Sequence, residues 1–303
     1  MSNKMRHTGH GGYHDSQKKH KQRKHSQWRD VWYRLRKNKL AMVGMIIAAI
    51  LVLLAIFAPL LAPYDYSYQN ITERFQYPNW QHLFGTDNLG RDTLSRVLYG
   101  GRTSLLTSVV ALIISMFVAV IMGTVAGFFG GTVDIIIMRI LDVIGAVPSM
   151  FLAITISAAL GSGVVQTAIA IAIGSIGQMA RLVRGSILQS RQQQYVESAF
   201  ATGSGNIRIM FKQVLPNVLS PLIITASMGI GGKIMQSAGL SFIGLGIQEP
   251  IPEWGAMISS GRAYMRYYPH LIFIPGIFVA LVVLAFNLIG DGLRDALDPK
   301  LRQ

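Results

Sequence analysis

The chain has 303 residues, of which 51% are hydrophobic and only 14% are charged, well below the roughly 25% of charged residues in a soluble domain. Its formal net charge is +14, but twelve of the 28 Lys and Arg residues lie in the first 40 positions, so the charge belongs to one end of the chain and does not indicate a nucleic-acid-binding domain. The absence of cysteine excludes disulfides, thiolate metal sites and a catalytic thiol.

The first predicted element, residues 1–27, is a polar tail rich in Lys, Arg, His, Gly and Gln. A segment with so little apolar surface does not fold alone, so we expect a disordered, His-rich basic tail. Its five histidines suggest metal binding as an alternative, but we favour a solvated tail beside anionic lipid and assign no metal site. Trp28, Trp32 and Tyr33 then alternate with Arg and Lys, which is typical of an interfacial helix. The first apolar run starts after residue 40 and is too long for a cleavable signal peptide.

Six apolar segments follow the tail, and a helix needs about 20 apolar residues to cross the hydrocarbon core. Their approximate bounds are 41–61, 104–128, 135–160, 164–180, 218–243 and 271–289. The third segment is long and contains Pro148, which interrupts a helix. The pattern predicts an all-α, polytopic membrane protein of about six transmembrane helices.

The distribution of Lys and Arg between the connecting segments predicts the orientation in the membrane. With both termini in the cytoplasm, 21 of these residues lie inside and six outside, as the positive-inside rule requires. Nine remain inside when the tail is left out of the count. This orientation makes residues 63–103 and 244–270 external loops and residues 181–214 an internal loop of a plasma-membrane protein.

Small and charged residues within the spans suggest how the helices pack. The spacing of Gly123 and Gly127 favours close contact between helix backbones, with a moving seam as the alternative. Arg139 and Asp142 share a helix face and are expected to pair. Lys233 lies deeper in the fifth segment, where a charge is costly, so it either faces a water-filled passage or extends toward the interface.

The internal loop predicts two short helices before the fifth segment. Residues 195–202 form an amphipathic pattern that Gly203 and Gly205 would end, because glycine adopts the left-handed conformation that closes a helix. A second helix over 206–214 would lead to Pro216, which is tolerated at the start of a helix. Such a loop suits either a docking site for a soluble partner or an ordinary amphipathic connector.

Residues 195–217 resemble the EAA loop of ABC importer permeases, in which Glu-Ala-Ala, three residues, Gly and nine residues precede a closing residue-x-Leu-Pro. The positions that match are Glu197, Ser198, Ala199, Gly203, Gln213, Leu215 and Pro216. Ser198 replaces the usual alanine, a change between small residues. In that family the loop forms a coupling helix that fits a groove of the ATPase subunit, so the resemblance implies that ATPase motion enters the membrane here.

Three further segments, 84–92, 240–246 and 290–302, resemble the C-type permease of the oligopeptide, dipeptide and nickel branch of this family. The likeness covers roughly residues 28–303 and leaves out only the tail. Gln236 departs from the family, whose members often carry a carboxylate before the Leu-Ser-Phe sequence at residue 240. Any role of that carboxylate is therefore in doubt for this chain.

The first of these segments is an external, turn-rich loop. Its signature residues are Gly85, Thr86, Asp87, Gly90, Arg91 and Asp92. The two glycines suit tight turns, and the charged residues could pair with one another or cap the second span. Contact with an external binding protein or with another permease is the alternative.

The resemblance implies the type I ABC importer permease fold, with one extra helix before a five-helix core. The expected regions are 1–27, the tail; 28–100, the interfacial segment, first span and external loop; 101–291, the permease core with its coupling loop 195–217; and 292–303, a cytoplasmic tail. The implied partners are a second (B-type) permease subunit, two ATPase subunits, an extracellular substrate-binding protein and membrane lipid, and not nucleic acid.

We therefore predict a permease subunit that forms half of the path for oligopeptide or dipeptide uptake by alternating access, with nickel or glutathione as alternative substrates. The sequence has no phosphate-binding loop, so we expect no enzyme and no cofactor, with ATP and Mg²⁺ held by the ATPase subunits. A scaffold or sensor that uses the same coupling loop is one rival. A secondary transporter is another, but it predicts inverted repeats and ionisable midplane residues that are not evident.

Overall fold

The computed structural model describes residues 27–297, and all of their side chains except those of residues 27–30 and 217. The predicted tail of residues 1–27 thus lies outside the described residues except for its last position, and so does the end of the predicted C-terminal tail. The α-helices are α1 (Gln27–Lys37), α2 (Lys39–Ile56), α3 (Ala58–Leu61), α4 (Thr93–Phe129), α5 (Gly131–Gly145), α6 (Ser149–Leu160), α7 (Val164–Arg191), α8 (Gln194–Ala201), α9 (Asn206–Ile209), α10 (Leu215–Phe242), α11 (Trp254–Gly261) and α12 (His270–Leu297). Within residues 27–297 the chain forms no strand beyond one bridge between Thr86 and Asp92.

Five of these helices are long and apolar enough to cross a membrane, namely α2, α4, α7, α10 and α12. Their outward surfaces are apolar as well, as Ile46 and Ile50 of α2 and Phe117 of α4 are exposed. Such a continuous apolar surface is stable where lipid takes the place of water. The all-α, membrane-spanning fold predicted from the apolar segments is confirmed.

The central pair of the bundle is α4 and α7, which run parallel. Gly123 lies against Ala180, and one turn later Gly127 lies against Arg184 and Ile187, so the residue numbers rise together along the contact. A Cβ atom on Gly123 would lie 2.5 Å from the carbonyl oxygen of Ala180. The close backbone contact predicted from the spacing of these glycines is therefore confirmed.

The third predicted span is not one helix but two, α5 and α6, bent by 82° at the break between them. The break contains Pro148, which lacks the N–H that would continue the helix and disfavours helical backbone at the residue before it. Because α4 and α7 run parallel, the segment between them must return the chain to its starting side. The bent pair therefore counts as one broken span, which brings the candidate spans among the described residues to six.

Ion pairs fix α5 against α7 in the antiparallel direction. Arg184 donates two hydrogen bonds of 2.5 Å to Asp134, and Arg181 donates one of 3.2 Å to Asp142. The pairing predicted between Arg139 and Asp142 is wrong. Two residues three apart on one helix share a face, but a cation on the neighbouring helix α7 reaches the carboxylate instead.

Helix α12 runs antiparallel to both α2 and α10. From the N-cap of α2 onward, Asn38 contacts Asp295, Ala41 contacts Gly292 and Gly44 contacts Ala285. Along α10 they are Met228 with Gly290 and Gly231 with Val283. The start of α2, the start of α10 and the end of α12 therefore lie at the same end of the bundle.

Several predicted boundaries fall inside helices. The second span begins at Thr93 rather than near residue 104, so the expected division between residues 100 and 101 lies within α4. The fourth continues to Arg191, beyond the predicted end at residue 180. The sixth continues to Leu297, so the expected start of the tail at residue 292 is still helical. Apolar segments mark the part of a helix that meets lipid, and these helices extend past it.

Candidate functional site

The loop between α7 and α10 is anchored to the bundle by one face of α8. Val196 and Ala199, one turn apart, are buried in a cluster that also contains Phe128 at the end of α4 and Ile187 near the end of α7. A further member, Ile209, comes from α9. Helix α8 is thus joined by apolar packing to the ends of the two central helices.

The opposite face of this loop is exposed and apolar. Its large side chains are Tyr195, Phe200, Ile207 and Phe211, which are between 41% and 70% exposed. Glu197 and Ser198 are exposed beside them, and Glu197 lies in the first turn of α8, where a negative charge is favourable. An exposed apolar surface rimmed by polar groups is typical of a docking site.

Gly203 ends α8 as the sequence predicted. Its φ is +79°, its N–H donates to the carbonyl of Phe200, and the N–H of Ser204 donates to the carbonyl of Ala199. These two bonds are those of a Schellman motif, which requires a left-handed residue at this position. Gly205 does not share the role, because its φ is −69°.

The second predicted short helix, over residues 206–214, is not a separate element. After α9 a π-helical turn, Met210–Val214, runs directly into α10. Leu215 and Pro216 are the first two residues of α10, and the Leu215 N–H donates back to the carbonyl of Met210 in the π-helical turn. The closing half of the EAA-like sequence is therefore continuous with the fifth span.

At the other end of the bundle, the turn-rich loop before α4 is held by its own charged residues. The Asp87 carboxylate accepts from the Nε of Arg91 at 2.6 Å and from the backbone N–H groups of Leu89 and Arg91. Gly85 and Gly90 have φ values of +74° and +71°, which glycine adopts without strain. The predicted turns and the pairing of Asp87 with Arg91 are confirmed.

Asp92 caps the second span, which was one of the two structural roles predicted for the charged residues of this loop. Its carboxylate accepts from the N–H of Ser95 at 2.7 Å, and its other oxygen lies 2.9 Å from Nδ1 of His82. The Thr86 hydroxyl donates to the carbonyl of Glu73 and accepts from the N–H of Gln76. Thr86 and Asp92 thus hold the loop from Glu73 to Asp92 in a fixed conformation against the start of α4.

Sequence reasoning missed the acidic partner of this loop. Arg91 donates two hydrogen bonds, of 3.0 and 2.7 Å, to the carboxylate of Glu249, which lies 158 residues away in the connection between α10 and α11. Arg96 also approaches Glu249, at 3.4 Å. Burial raises the pKa of the Glu249 carboxyl, but the hydrogen bonds and charges of the two arginines outweigh it and leave that pKa below its ordinary value.

A second acidic residue of that connection, Glu253, was also missed, and among the described residues no Lys, Arg or His forms an ion pair with it. Its side chain is buried, accepts from the Ser104 hydroxyl at 3.1 Å, and caps α11 by accepting from the N–H of Ala256 at 2.9 Å. Burial raises the pKa of this carboxyl. Next to it, the indole N–H of Trp254 donates to the carbonyl of Val97. Two hydrogen bonds therefore attach the connection between α10 and α11 to the first turns of α4.

Between these two ends, α7 and α10 line a cavity of about 300 Å³ that is open on one side. Lys233 of α10 lies in its lining and is only 4% exposed. Its ammonium donates to the hydroxyl of Ser175 on α7 at 2.6 Å. Gln236, the departure noted in the sequence, lines the same cavity and donates to Ser149 at 3.4 Å. Thr225, Lys233 and Gln236 of the fifth span therefore line one open cavity.

Comparison with protein families matches residues 119–303 to the binding-protein-dependent transport system inner membrane component. Residues 26–78 match the N-terminal transmembrane domain of oligopeptide transport permease C. The two matches together include the first span, the loop around α8 and the cavity-lining helices.

Three curated proteins illustrate the degree of similarity. The dipeptide transport system permease protein DppC of Alkalihalophilus pseudofirmus is 44% identical over 277 residues, 91% of each chain. The oligopeptide transport system permease protein OppC of Bacillus subtilis is 42% identical over 92% of this chain and 91% of that one. The glutathione transport system permease protein GsiD of Escherichia coli is 44% identical over 91% of each chain.

Among solved structures, the fold is similar to that of a chain of the MetNI methionine ABC transporter in an inward-facing conformation. The TM-score is 0.54, and the match covers 67% of this chain and 97% of that chain. At 16% sequence identity this similarity concerns the fold alone.

Proposed function

The chain belongs to the family of binding-protein-dependent transport system inner membrane components, in the branch of oligopeptide transport permease C, and we propose that it forms half of the membrane passage of an ATP-driven importer of short peptides. Relatives named for dipeptide and oligopeptide transport, at 44% and 42% identity over nine-tenths of the chain, support this substrate class. Glutathione, a peptide-like anion, is the second candidate, because the relative named for glutathione transport is equally similar.

The single observation that carries the coupling proposal is the two-faced helix α8. One face is packed through Val196 and Ala199 onto the ends of α4 and α7, and the other exposes apolar side chains. We propose that an ATPase subunit docks on this outer face, with Glu197, Ser198 and Gly203 at its surface. The remaining coupling residues proposed are Ala199 on the packed face and Leu215 and Pro216 at the start of α10.

The proposed mechanism is alternating access. When ATP brings the two partner ATPase subunits together, α8 is displaced, and its packing on Phe128 and Ile187 passes that displacement to the long helices α4 and α7. At the far end, the Arg91–Glu249 ion pair makes the two connections outside the spans follow the same movement. The cavity between α7 and α10 then opens to one side of the membrane at a time. In this proposal the ATPase subunits bind and hydrolyse ATP, and this chain provides the passage.

We also propose the orientation and the assembly. The end of the bundle that carries α8, the start of α2 and the end of α12 faces the cytoplasm, in accord with the excess of Lys and Arg there. The opposite end, with the loop from Gly85 to Asp92, faces an extracellular substrate-binding protein. The complete importer contains a second, B-type permease subunit and two ATPase subunits that hold ATP and Mg²⁺.

Uptake by intact cells tests the substrate class. Isotope-labelled di- to pentapeptides, glutathione and nickel are supplied to cells with and without the gene, with and without depletion of ATP. We expect deletion to abolish ATP-dependent uptake of the peptides. Loss of glutathione uptake alone would assign the second substrate, loss of nickel uptake alone would make this a metal importer, and unchanged uptake in a strain freed of redundant importers would refute transport.

Docking on α8 is tested by co-purification of the ATPase subunits. Ile207, 70% exposed beside α8, is replaced in the variant Ile207→Asp. The matched control is Trp80→Asp, which puts the same charge on a 97% exposed side chain at the opposite end of the bundle. We expect only the first variant to lose ATPase subunits at equal membrane content. Equal recovery with both variants would contradict the docking surface.

A further inference from the structure

Lys233 carries a charge inside a membrane span, and no carboxylate of the described residues pairs with it. Its side chain is 4% exposed, and between residues 27 and 297 no described Asp or Glu oxygen lies within 4 Å of its ammonium. It lies nine residues before the end of α10 at Phe242, about 14 Å along the axis at 1.5 Å per residue. Charged groups at such depth pair with an opposite charge or mark a substrate path.

The surroundings of Lys233 leave room and donors for a ligand. The Ser175 hydroxyl accepts from the ammonium at 2.6 Å and donates to the carbonyl of Ile171 at 2.8 Å, so it fixes the ammonium in place. An ammonium has three donors, and this bond uses one. A Cβ atom on Gly232 would meet nothing within 4 Å, so the space beside the lysine is open.

The cavity around this ammonium has the composition of a binding site for one end of a small polar molecule. Its polar lining comes from Ser175, Gln178, Thr225 and Gln236, and Met179 and Met228 supply the apolar part. Its volume of about 300 Å³ is at the lower end of the range for small-molecule sites, roughly 300–1,000 Å³. A cavity of this size, open on one side, has room for at least one end of a peptide.

We infer that Lys233 binds the C-terminal carboxylate of the peptide in transit, which supplies the missing negative charge. This inference rests on the proposed peptide import. Every unmodified peptide carries that carboxylate whatever its sequence, so the site would accept peptides of different side chains. The other charge common to all unmodified peptides is the N-terminal ammonium, which the lysine would repel. A carboxylate of the second permease is the competing source of the counter-charge, and the experiment separates the two.

The test uses the complete importer, with its own second permease, ATPase subunits and binding protein, reconstituted in proteoliposomes. Initial rates of ATP-dependent uptake are measured for labelled trialanine and for trialanine amide, which differ only in the C-terminal charge. The variants are Lys233→Met, which removes the charge, Lys233→Gln, which keeps a donor toward Ser175, and Lys233→Arg, which keeps the charge. Gln236→Met is the matched control, since it changes the same cavity without changing its charge.

We expect Lys233→Met and Lys233→Gln to lower the rate for trialanine at least tenfold, because a buried charge pair loses one partner, and to change the rate for the amide less than twofold. Lys233→Arg should keep the preference for the free acid, and Gln236→Met should change both rates by the same factor. The preference of the binding protein itself cancels, because every variant uses the same one.

Equal loss of both rates on removing the charge would overturn the inference and assign the lysine to a carboxylate of the second permease. Unchanged rates for both peptides would overturn it as well. Failure of the unaltered importer to take up either peptide would instead refute peptide import, and with it this site. Should Lys233→Met not assemble, the ratio of the two rates in the Lys233→Gln variant decides the question alone.

Discussion

Replacement of Gly203 by alanine should loosen the end of helix α8. The residue has a φ of +79°, and a Cβ atom there would meet nothing within 4 Å, so the whole effect comes from the backbone. For a residue with a Cβ the left-handed conformation costs roughly 1–2 kcal/mol. Alanine also restricts the unfolded chain, which returns roughly 0.4–1 kcal/mol. We therefore expect a net loss of about 1 kcal/mol in the local stability of this cap.

The chain offers a matched control two residues later. A Cβ atom on Gly205 would also meet nothing within 4 Å, but its φ is −69° and its ψ is 150°, which alanine adopts freely. Gly205→Ala should therefore leave the end of α8 unchanged, and the cost of alanine at the N-cap of α9 should be confined to the residues after position 205. The pair of variants adds the same methyl group to the same exposed loop and differs only in backbone conformation.

Hydrogen–deuterium exchange in nanodiscs measures the effect locally. A loss of about 1 kcal/mol corresponds to about fivefold more frequent opening, so amides of residues 199–204 should exchange about fivefold faster in Gly203→Ala and not in Gly205→Ala. Recovery of ATPase subunits should fall in the same variant. Equal exchange in both variants would refute the argument that left-handed backbone at Gly203 holds the coupling helix in shape.

Three further predictions concern the packing and the charged junction. Gly123→Ala should lower the thermal unfolding midpoint in nanodiscs, because its Cβ meets a carbonyl of α7 and overpacking costs roughly 1–3 kcal/mol; Gly185→Ala, whose Cβ meets nothing within 4 Å, should not lower it. Glu249→Gln should make the stability less sensitive to acid. A carboxyl with lowered pKa stabilises the fold above its ordinary pKa of 4.5, and this stabilisation is lost as pH falls through the lowered pKa. An unchanged unfolding midpoint between pH 3 and 6 in the unaltered chain would contradict this. Glu253→Ala should lose the α11 cap and with it about 1 kcal/mol of stability, whereas Glu253→Gln should keep the cap. The glutamine should also remove the loss of stability that a carboxyl with raised pKa causes as pH rises above the ordinary pKa. Equal unfolding midpoints of both variants at pH 7 would count against the cap.

Local patterns were sufficient for much of this protein. The apolar runs predict the spans because lipid selects apolar side chains along any helix that crosses it. The glycine pair at Gly123 and Gly127 predicts a close helix contact, and Gly203 predicts the end of α8, because each depends on the absence of a single Cβ. The cap at Asp92 is local as well, since its acceptor serves an N–H three residues away.

Contacts between distant segments could not be predicted in the same way. Asp142 pairs with Arg181 of α7 rather than with Arg139, because the packing of two helices decides which cation is nearer. The bend at Pro148 was visible as an interruption, but only the parallel contact of α4 and α7 makes α5 and α6 one broken span. The π-helical turn before α10 likewise follows from how the loop joins the bundle.

The sequence by itself determined the class of protein, the spans, the EAA-like loop and the permease family, because each follows from residues that are close together in the chain. Only the tertiary structure decided that Glu249 neutralises Arg91 across 158 positions and that Glu253 is buried with hydroxyl and backbone N–H donors around it. It also decided that Lys233 reaches Ser175 beside a cavity that α7 and α10 line together. The physical reason is that desolvation and charge depend on distances in space, and the chain brings these groups together only when its helices pack.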